Sequence, residues 1–259
     1  MTTTRLEGKR AVITGAAGGI AIATAIEFTR QGAAVALTDL DQTGVEKTKA
    51  KVVSQGGKAK AFVVDVTSRE AVESLMSDAS TFMGGIDILV TCAGGYKAYG
   101  SFEDIQEADW DQVINVNLKG VYLCCKAVLP YMKKKGWGRI INLGSLAGRS
   151  TSAGTSPVHY ASAKAAVSMM TQYLAKDVGP YGIAVSAPDG LVYVSLTTWW
   201  GPVPPGCVPG GIAAYAGVDG SFVSCSPPPP SGGVLGRGVA VSPLDGSVWS
   251  VVTDAGTVL

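Results

Sequence analysis

A tyrosine, a lysine and a serine near the middle of this 259-residue chain have the types and spacing of a proton-transfer site. Tyr160 and Lys164 lie four residues apart, so a helix would place both side chains on one face. A free phenol titrates near ~10, and a neighbouring ammonium favours its ionised form. Ser145 precedes this pair along the chain. The spacing therefore predicts a general acid/base pair on a helix.

The start of the chain has the order strand, glycine-rich turn, helix. The apolar run 11–14 is followed by Gly15, Gly18 and Gly19, and residues 21–30 then form an amphipathic pattern. Glycines permit a tight turn and close approach of the backbone to a pyrophosphate, which the helix N-terminus also favours. These residues predict a dinucleotide-binding unit.

A carboxylate follows the next predicted strand. Residues 33–38 are mainly apolar and end at Asp39, where a βαβ dinucleotide unit needs a carboxylate for the adenosine ribose hydroxyls. A 2′-phosphate would be repelled there. We therefore expect NAD(H) to be favoured over NADP(H).

Six motifs in order resemble the short-chain dehydrogenase/reductase family. They are TGAAGGIA at 14–21, VDV at 64–66, CAG at 92–94, NVN at 115–117, INLGS at 141–145 and YASAK at 160–164. The resemblance covers roughly residues 5–188. Within this region, the sequence is similar to bacterial alcohol dehydrogenases and 3-oxoacyl reductases. The resemblance implies a Rossmann-like, doubly wound parallel α/β sheet, with residues 1–259 forming a single domain and 189–259 an atypical end.

The resemblance also implies roles for four catalytic residues. Tyr160 would be the general acid/base, Lys164 would assist its ionisation and hold the nicotinamide ribose, and Ser145 would donate a hydrogen bond to the substrate oxygen. Asn117 would position a water that leads protons to Lys164. Cofactor binding is implied for Gly15, Gly18, Gly19, Ile20, Asp39, Leu40, Asp65, Val66, Cys92, Ala93, Gly94, Tyr160 and Lys164.

Three features of the sequence depart from the family pattern before residue 188. Ala21 replaces a glycine, and we expect its methyl group to crowd the helix and weaken cofactor binding. Thr91 and Cys92 stand where two asparagines are usual, which would remove amides that tie neighbouring strands together. The loop 149–159 is one or two residues longer than usual, which would reshape the pocket rim.

The largest departure is the segment 189–259, which is rich in Pro and Gly. It contains nine of the 13 prolines, no Lys or Glu, and Arg237 as its one arginine. Interior prolines each cost a helix about 3 kcal/mol, so the long helix usual in the family is not expected. Three interpretations stay open: a lineage-specific apolar lid with Trp199, Trp200 and Tyr215, a reading-frame disturbance, or a disordered end. Only 247–256 resembles the closing strand of the family.

Composition limits the remaining function classes. A net charge of +1 offers no field for nucleic acid or anionic lipid, and no signal peptide or membrane span is predicted. The five cysteines have no CxxC spacing and suit a reducing cytoplasm. With His159 as the single histidine, we expect no metal site and interpret His159 as a loop residue or a contact at the pocket mouth.

Predicted strands lie near 10–14, 34–38, 60–64, 87–91, 138–143 and 183–187, and helices near 19–31, 42–55, 69–82, 109–135 and 158–178. The last two helices would, by resemblance, join subunits into a homodimer or homotetramer.

The sequence leaves three functions open. They are an NAD(H)-dependent oxidoreductase interconverting a secondary alcohol and a ketone, a 3-oxoacyl thioester reductase, and a non-catalytic cofactor-binding protein. The second needs a basic entrance, for which Lys97, Arg149 and the lysines at 133–135 are the candidates.

Overall fold

The structure is a computed structural model that describes residues 4–96, 100–149 and 156–187. It also describes strand backbones at 191–193, 212–215, 222–226, 238–241 and 248–251.

Six parallel strands form the central sheet, in the order β3-β2-β1-β4-β5-β6. They are β1 (Arg10–Thr14), β2 (Ala34–Asp39), β3 (Lys58–Val63), β4 (Ile88–Thr91), β5 (Gly138–Asn142) and β6 (Ile183–Ala187). A short β7 (Leu191–Tyr193) pairs antiparallel with β6 at the edge. The predicted Rossmann-like sheet is confirmed. Because β1 lies between β2 and β4, the strand order reverses there, which opens a crevice at the carboxyl ends.

Six α-helices follow the strands at the predicted places. They are α1 (Gly19–Arg30), α2 (Gln42–Ser54), α3 (Arg69–Met83), α4 (Glu107–Ile114), α5 (Gly120–Lys135) and α6 (Val158–Val178). The prediction of one continuous helix over 109–135 is wrong in one respect. A π-helical segment, Asn115–Lys119, separates α4 from α5. Such insertions are rare and often occur at functional sites.

Alternating strand residues supply two separate hydrophobic cores. On one face, Ile13 and Val35 pack with residues of α1 and α2. On the other face, Val12 and Ile140 pack with residues of α3, α5 and α6. Burial on both faces explains why β1, β2 and β4 are mainly apolar runs, whereas the edge strand β3, KAKAFV, alternates with lysines and is more exposed.

The amino edge of the sheet is held by a buried carboxylate. Asp87 is fully buried just before β4, and it accepts hydrogen bonds from the Arg10 guanidinium and the Lys135 ammonium. These two cations hold the pKa of Asp87 below its usual value, although burial opposes them. The lysines at the end of α5 therefore lie at the edge opposite the carboxyl ends of the strands.

Later strands form small antiparallel sheets. β8 (Ile212–Tyr215) pairs with β9 (Phe222–Ser226), and β10 (Gly238–Val241) pairs with β11 (Val248–Val251). The segment 247–256 resembled a closing strand of the main sheet, but Val248–Val251 instead pairs with β10.

Most of 189–259 lies outside the described residues, including Trp199 and Trp200. The three interpretations of this segment and the assignment of 1–259 to one domain stay predictions. Within the described part of the chain, no helix has the length and apolar character needed to cross a membrane.

Candidate functional site

A glycine loop after β1 packs closely against the backbone that follows β4. Gly15 has a positive φ of 68°, and a Cβ built on it would lie 2.6 Å from the Ala93 nitrogen. Ala93 N–H in turn donates to the Thr14 hydroxyl at 3.1 Å. Only glycine satisfies both the left-handed backbone and this close approach. The β1 and β4 ends are thus brought together as a floor for a ligand.

Asp39 at the end of β2 fixes the same loop from the other side. Its carboxylate accepts hydrogen bonds from the backbone N–H groups of Ala17 and Asp41, both at 2.9 Å. The carboxylate therefore stands beside the glycine loop, where the sequence placed it.

A cavity of about 260 Å³ lies between these elements. Among the predicted cofactor residues, those that line it are Gly15, Gly18, Asp39, Leu40, Asp65, Val66, Cys92, Ala93 and Gly94. A neighbouring cavity of about 650 Å³ shares Asp39, Leu40 and Gly94 and extends to Tyr96 and α4. Gly19 and Ile20 begin α1 and line neither cavity, and the Ile20 side chain is 65% exposed. Cofactor binding by Gly19 and Ile20 stays a prediction.

Lys164 is the buried cation of the site. It is 3% exposed, and its ammonium donates a hydrogen bond of 2.7 Å to the Leu143 carbonyl. The ammonium also lies 5.7 Å from the centre of the Tyr160 ring. Burial lowers the pKa of Lys164 to about 8. Tyr160 and Lys164 thus share one face of α6, as the spacing predicts.

Tyr160 is half-buried and packs against a second tyrosine. The ring of Tyr96 lies 4.7 Å from the Tyr160 ring, with the two planes tilted by 56°. Tyr96 follows the glycines after β4, so the loop above the crevice reaches the predicted general acid/base.

Ser145 begins a short 3-10 turn, Leu146–Gly148, after β5. Its Oγ accepts a hydrogen bond from Ala147 N–H at 3.2 Å, so the hydroxyl proton remains to be donated. The turn is packed closely on α6, because a Cβ on Gly148 would lie 2.6 Å from the Ala165 nitrogen. Gly148 was missed by the sequence analysis, although a glycine three residues after Ser145 was the available signal.

Asn117 lies in the π-helical segment and is fully buried. Its amide nitrogen donates to the carbonyls of Gly95 and Val113, at 2.8 and 2.9 Å, and its Oδ1 accepts from Gly95 N–H at 2.9 Å. A Cβ on Gly94 would lie 2.6 Å from this Oδ1 and 3.6 Å from the Lys164 ammonium. Asn117, Gly94 and Lys164 therefore meet in one small region.

Comparison with known proteins gives the family. The short chain dehydrogenase family model matches residues 9–190. The chain belongs to the short-chain dehydrogenase family. Members of this family are oxidoreductases that act on CH–OH groups with nicotinamide cofactors, and this chain is such an oxidoreductase.

Two relatives and one solved structure show the extent of the similarity. A hydroxy(phenyl)methyl-succinyl-CoA dehydrogenase subunit, BbsD, of Thauera aromatica is 39% identical over 77% of this chain and 78% of its own length. The 3-oxoacyl-(acyl-carrier-protein) reductase FabG of Thermotoga maritima is 37% identical over 74% and 78%. An NAD⁺-bound xylitol dehydrogenase structure superposes with a TM-score of 0.68 at 35% identity, over 70% of this chain and 69% of its own.

The residues of this dehydrogenase fit a nicotinamide dinucleotide. Gly15 has no room for a side chain, Asp39 lines the same cavity, and Gly94 at the cavity wall lies close to the Lys164 ammonium. Each of these features lies at the carboxyl ends of the strands, where open α/β sheets bind ligands.

One expectation about Thr91 is wrong. The replacement of the usual asparagine was expected to remove a tie between strands, but the Thr91 hydroxyl donates to Asn142 Oδ1 at 3.0 Å and joins β4 to β5.

The methyl group of Ala21 is 1% exposed and packs in the core with Ile13 and Val35. Ala21 lines neither cavity, so the weakened cofactor binding stays a prediction.

His159 is placed differently from both expectations. It lies in the first turn of α6 and is fully buried, with its ring stacked on Trp110 at 6.4 Å. Within the described residues neither ring nitrogen has a hydrogen-bond partner. His159 is therefore a core residue between α4 and α6. The extended loop predicted for 149–159 falls mainly on 150–155, outside the described residues.

Proposed function

We propose that this protein is an NAD(H)-dependent oxidoreductase that interconverts a secondary alcohol and a ketone. The observation that carries the proposal is the position of the Lys164 ammonium, buried against the Leu143 carbonyl and 5.7 Å from the Tyr160 ring. A cation beside the phenol can offset negative charge that develops there during proton transfer, which suits a general acid/base for an alcohol.

The other side chains complete the acid/base chemistry. The Tyr160 phenol would take the hydroxyl proton in oxidation and return it in reduction. The Ser145 hydroxyl would donate a hydrogen bond to the substrate oxygen and stabilise the negative charge that develops there. Asn117 would hold the loop of Gly94 and Gly95 and support proton movement toward Lys164. A bound nicotinamide would accept or supply the hydride.

The preference for NAD(H) is supported by Asp39. Its carboxylate is held beside the glycine loop by two backbone N–H groups, so it cannot turn away without losing both bonds. A 2′-phosphate in the same place would bring negative charges together.

A thioester reductase is the second candidate, favoured by the printed activities of FabG and BbsD. Its basic entrance is less well supported than the alcohol site. The lysines at 133–135 lie at the amino edge of the sheet, beside Asp87, and Lys97 lies outside the described residues. Arg149 is exposed next to the Ser145 turn, so Arg149 and Lys97 stay candidates for this entrance. A non-catalytic cofactor-binding protein is the third candidate.

Self-association is part of the proposal. The chain exposes three large apolar or aromatic side chains on α5 and α6: Tyr122 at 44%, Met169 at 53% and Tyr173 at 65%. We propose a homodimer or homotetramer through these helices. Light scattering of the wild type and of Tyr173→Glu tests it, since the charged variant should shift to the monomer.

We further propose a cytoplasmic protein that acts on a small alcohol or ketone and binds neither nucleic acid nor membrane. The free thiols Cys92, Cys124 and Cys125 support a reducing compartment.

The deciding experiment is an NADH fluorescence titration followed by turnover with secondary alcohols, ketones and 3-oxoacyl thioesters. Tyr160→Phe should abolish turnover but retain NADH binding, and Tyr173→Phe on the same helix is the matched control. Turnover restricted to thioesters would favour the second candidate. Binding without turnover, unchanged in Tyr160→Phe, would favour the non-catalytic candidate.

A further inference from the structure

A buried polar network lies directly behind the Lys164 site. Asn142, at the end of β5, accepts at Oδ1 from the Thr91 hydroxyl at 3.0 Å and from the Cys125 thiol at 3.3 Å. Its Nδ2 donates to the Thr171 hydroxyl at 3.0 Å, which itself donates to the Val167 carbonyl at 2.7 Å. Thr91, Cys125, Asn142 and Thr171 are each at most 4% exposed.

This network holds the peptide that receives the Lys164 ammonium. Leu143, whose carbonyl accepts from Lys164, directly follows Asn142. Leu143 N–H donates to the Thr91 carbonyl at 3.3 Å. Thr91 therefore forms hydrogen bonds with two consecutive residues, with Leu143 through its backbone carbonyl and with Asn142 through its hydroxyl.

Helix α6 is joined to the end of β5 by two of its side chains. Thr171 lies about two turns after Lys164 on the same helix, so both side chains of α6 bind the end of β5. Rotation or sliding of α6 would have to break the Asn142 bond and the Leu143 bond together. The helix that carries Tyr160 is thus fixed relative to the strands beneath the crevice.

We propose that Thr91 and Asn142 are positioning residues that hold the Leu143 carbonyl in place for the Lys164 ammonium. The proposal rests on the function proposed above, since the ammonium acts through Tyr160. None of these network side chains lines the cofactor cavities, so the effect is transmitted through the ammonium.

The physical reason is the cost of a buried cation. Burial alone disfavours the ammonium, and the Leu143 carbonyl offsets part of that cost only while it points at Lys164. If the carbonyl moves, Lys164 loses its proton at a lower pH. The positive charge beside Tyr160 is then lost, and with it the electrostatic support for proton transfer at the phenol.

Thr91→Val tests this with a nearly isosteric change that deletes one hydroxyl. We expect kcat for alcohol oxidation to fall about tenfold or more, in the range found for residues that orient a catalytic group, with KM for NAD changed less than about twofold. The high-pH limb of the pH profile, where Lys164 loses its proton, should move downward by about 0.5 pH unit or more. Thr91→Ser, which keeps the hydroxyl, should remain within about threefold of the wild type.

A titration without turnover separates this proposal from the proposed function. In protein labelled with ¹³C at the lysine ε-carbons, Lys164→Met identifies the Lys164 signal. We expect the Lys164 titration midpoint to be lower in Thr91→Val by about 0.5 pH unit or more, and restored in Thr91→Ser. Thr171→Val serves the same purpose if Thr91→Val does not fold.

An unchanged midpoint in a folded variant would overturn the positioning role, even if activity had fallen. If the Lys164 midpoint is lower in Thr91→Val than in the wild type, but the wild type turns over no substrate, the positioning role would be supported and the proposed function refuted.

Discussion

The Lys164 ammonium donates its 2.7 Å hydrogen bond to the Leu143 carbonyl from a position that is 97% shielded from solvent. Burial lowers the pKa of Lys164 to about 8, so near pH 7 most molecules still carry the charge. The protein therefore keeps a cation where desolvation opposes it, beside Tyr160. Such a cost is typical of residues retained for chemistry.

Lys164→Met should stabilise the protein while abolishing turnover. The ammonium has a lower pKa in the folded chain than when unfolded, so its penalty is fully present below about pH 8. It is relieved as the pH rises toward the unfolded value. After subtracting the bond lost at Leu143, we expect a gain of about 1–2 kcal/mol at pH 7.

Urea unfolding at pH 7 and pH 9.5 checks this, with exposed Lys176→Met on the same helix as the control. The advantage of Lys164→Met should shrink at the higher pH. An advantage that does not depend on pH would show that the ammonium carries no burial penalty.

Side chains in recognisable motifs could be predicted from the sequence. Backbone contacts between segments that are distant in the sequence could not. Tyr160, Lys164 and Asp39 are recognised because residue type and spacing identify them. The Leu143 carbonyl carries no side-chain signal, since every residue has a carbonyl. The close approach of Gly148 to α6 likewise depends on where two distant elements meet.

The fold shows the same division. Apolar runs and the glycine turn predicted the inner parallel strands, because burial on both faces of the sheet requires continuous apolar sequence. The π-helical segment was missed, since Asn117 has the same helical sequence surroundings with or without one inserted residue. The hydrogen bond between Thr91 and Asn142 was missed for a similar reason. The Thr91 hydroxyl can replace the usual asparagine amide only because Asn142 lies opposite it, and that position depends on the pairing of β4 with β5.

Asp39→Asn should weaken the preference for NAD over NADP. The substitution removes the charge but keeps one oxygen to accept from backbone N–H, so the glycine loop should persist. We expect kcat/KM for NAD to fall about tenfold and the discrimination against NADP to narrow by about tenfold or more. Steady-state kinetics with both cofactors measure this.

Asp78→Asn, an exposed change on α3, is the matched control for loss of one negative charge. Unchanged discrimination in Asp39→Asn would mean that the carboxylate does not contact the ribose region.

Cys92 should react slowly with alkylating reagents although it lies in the cofactor cavity. Burial raises the pKa of the Cys92 thiol to about 11, with the Lys164 cation opposing this rise. At pH 8 only about one molecule in a thousand would carry the thiolate, which is the reactive form. We expect iodoacetamide labelling to accelerate about tenfold per pH unit from pH 8 to 10.

Peptide mass mapping of Cys92 follows the labelling, with glutathione as the reference thiol. Bound NADH should protect Cys92, and Lys164→Met should slow the reaction further. Rapid labelling at pH 7 would contradict this account of the cavity.

Gly15→Ala and Gly8→Ala separate backbone strain from lost space. Gly8 and Gly15 have φ values of 67° and 68°, but a Cβ on Gly8 meets nothing within 4 Å, whereas one on Gly15 meets the Ala93 nitrogen at 2.6 Å. Gly8→Ala should therefore cost only the left-handed backbone term, about 1 kcal/mol, and leave NADH affinity unchanged. Gly15→Ala adds a collision between two backbone segments, for about 3 kcal/mol or more in total.

Because that collision lies in the floor of the cofactor cavity, Gly15→Ala should also lower NADH affinity by about tenfold or more. Thermal unfolding and NADH titration of both variants measure the two effects. Equal losses of stability in the two variants, with NADH affinity retained in both, would show that β1 and β4 do not approach as closely as the Gly15–Ala93 contact requires. A larger loss of stability in Gly15→Ala than in Gly8→Ala, with the loss of NADH affinity confined to Gly15→Ala, would show that the absence of a side chain at Gly15 serves both the packing of the sheet and the binding of the dinucleotide.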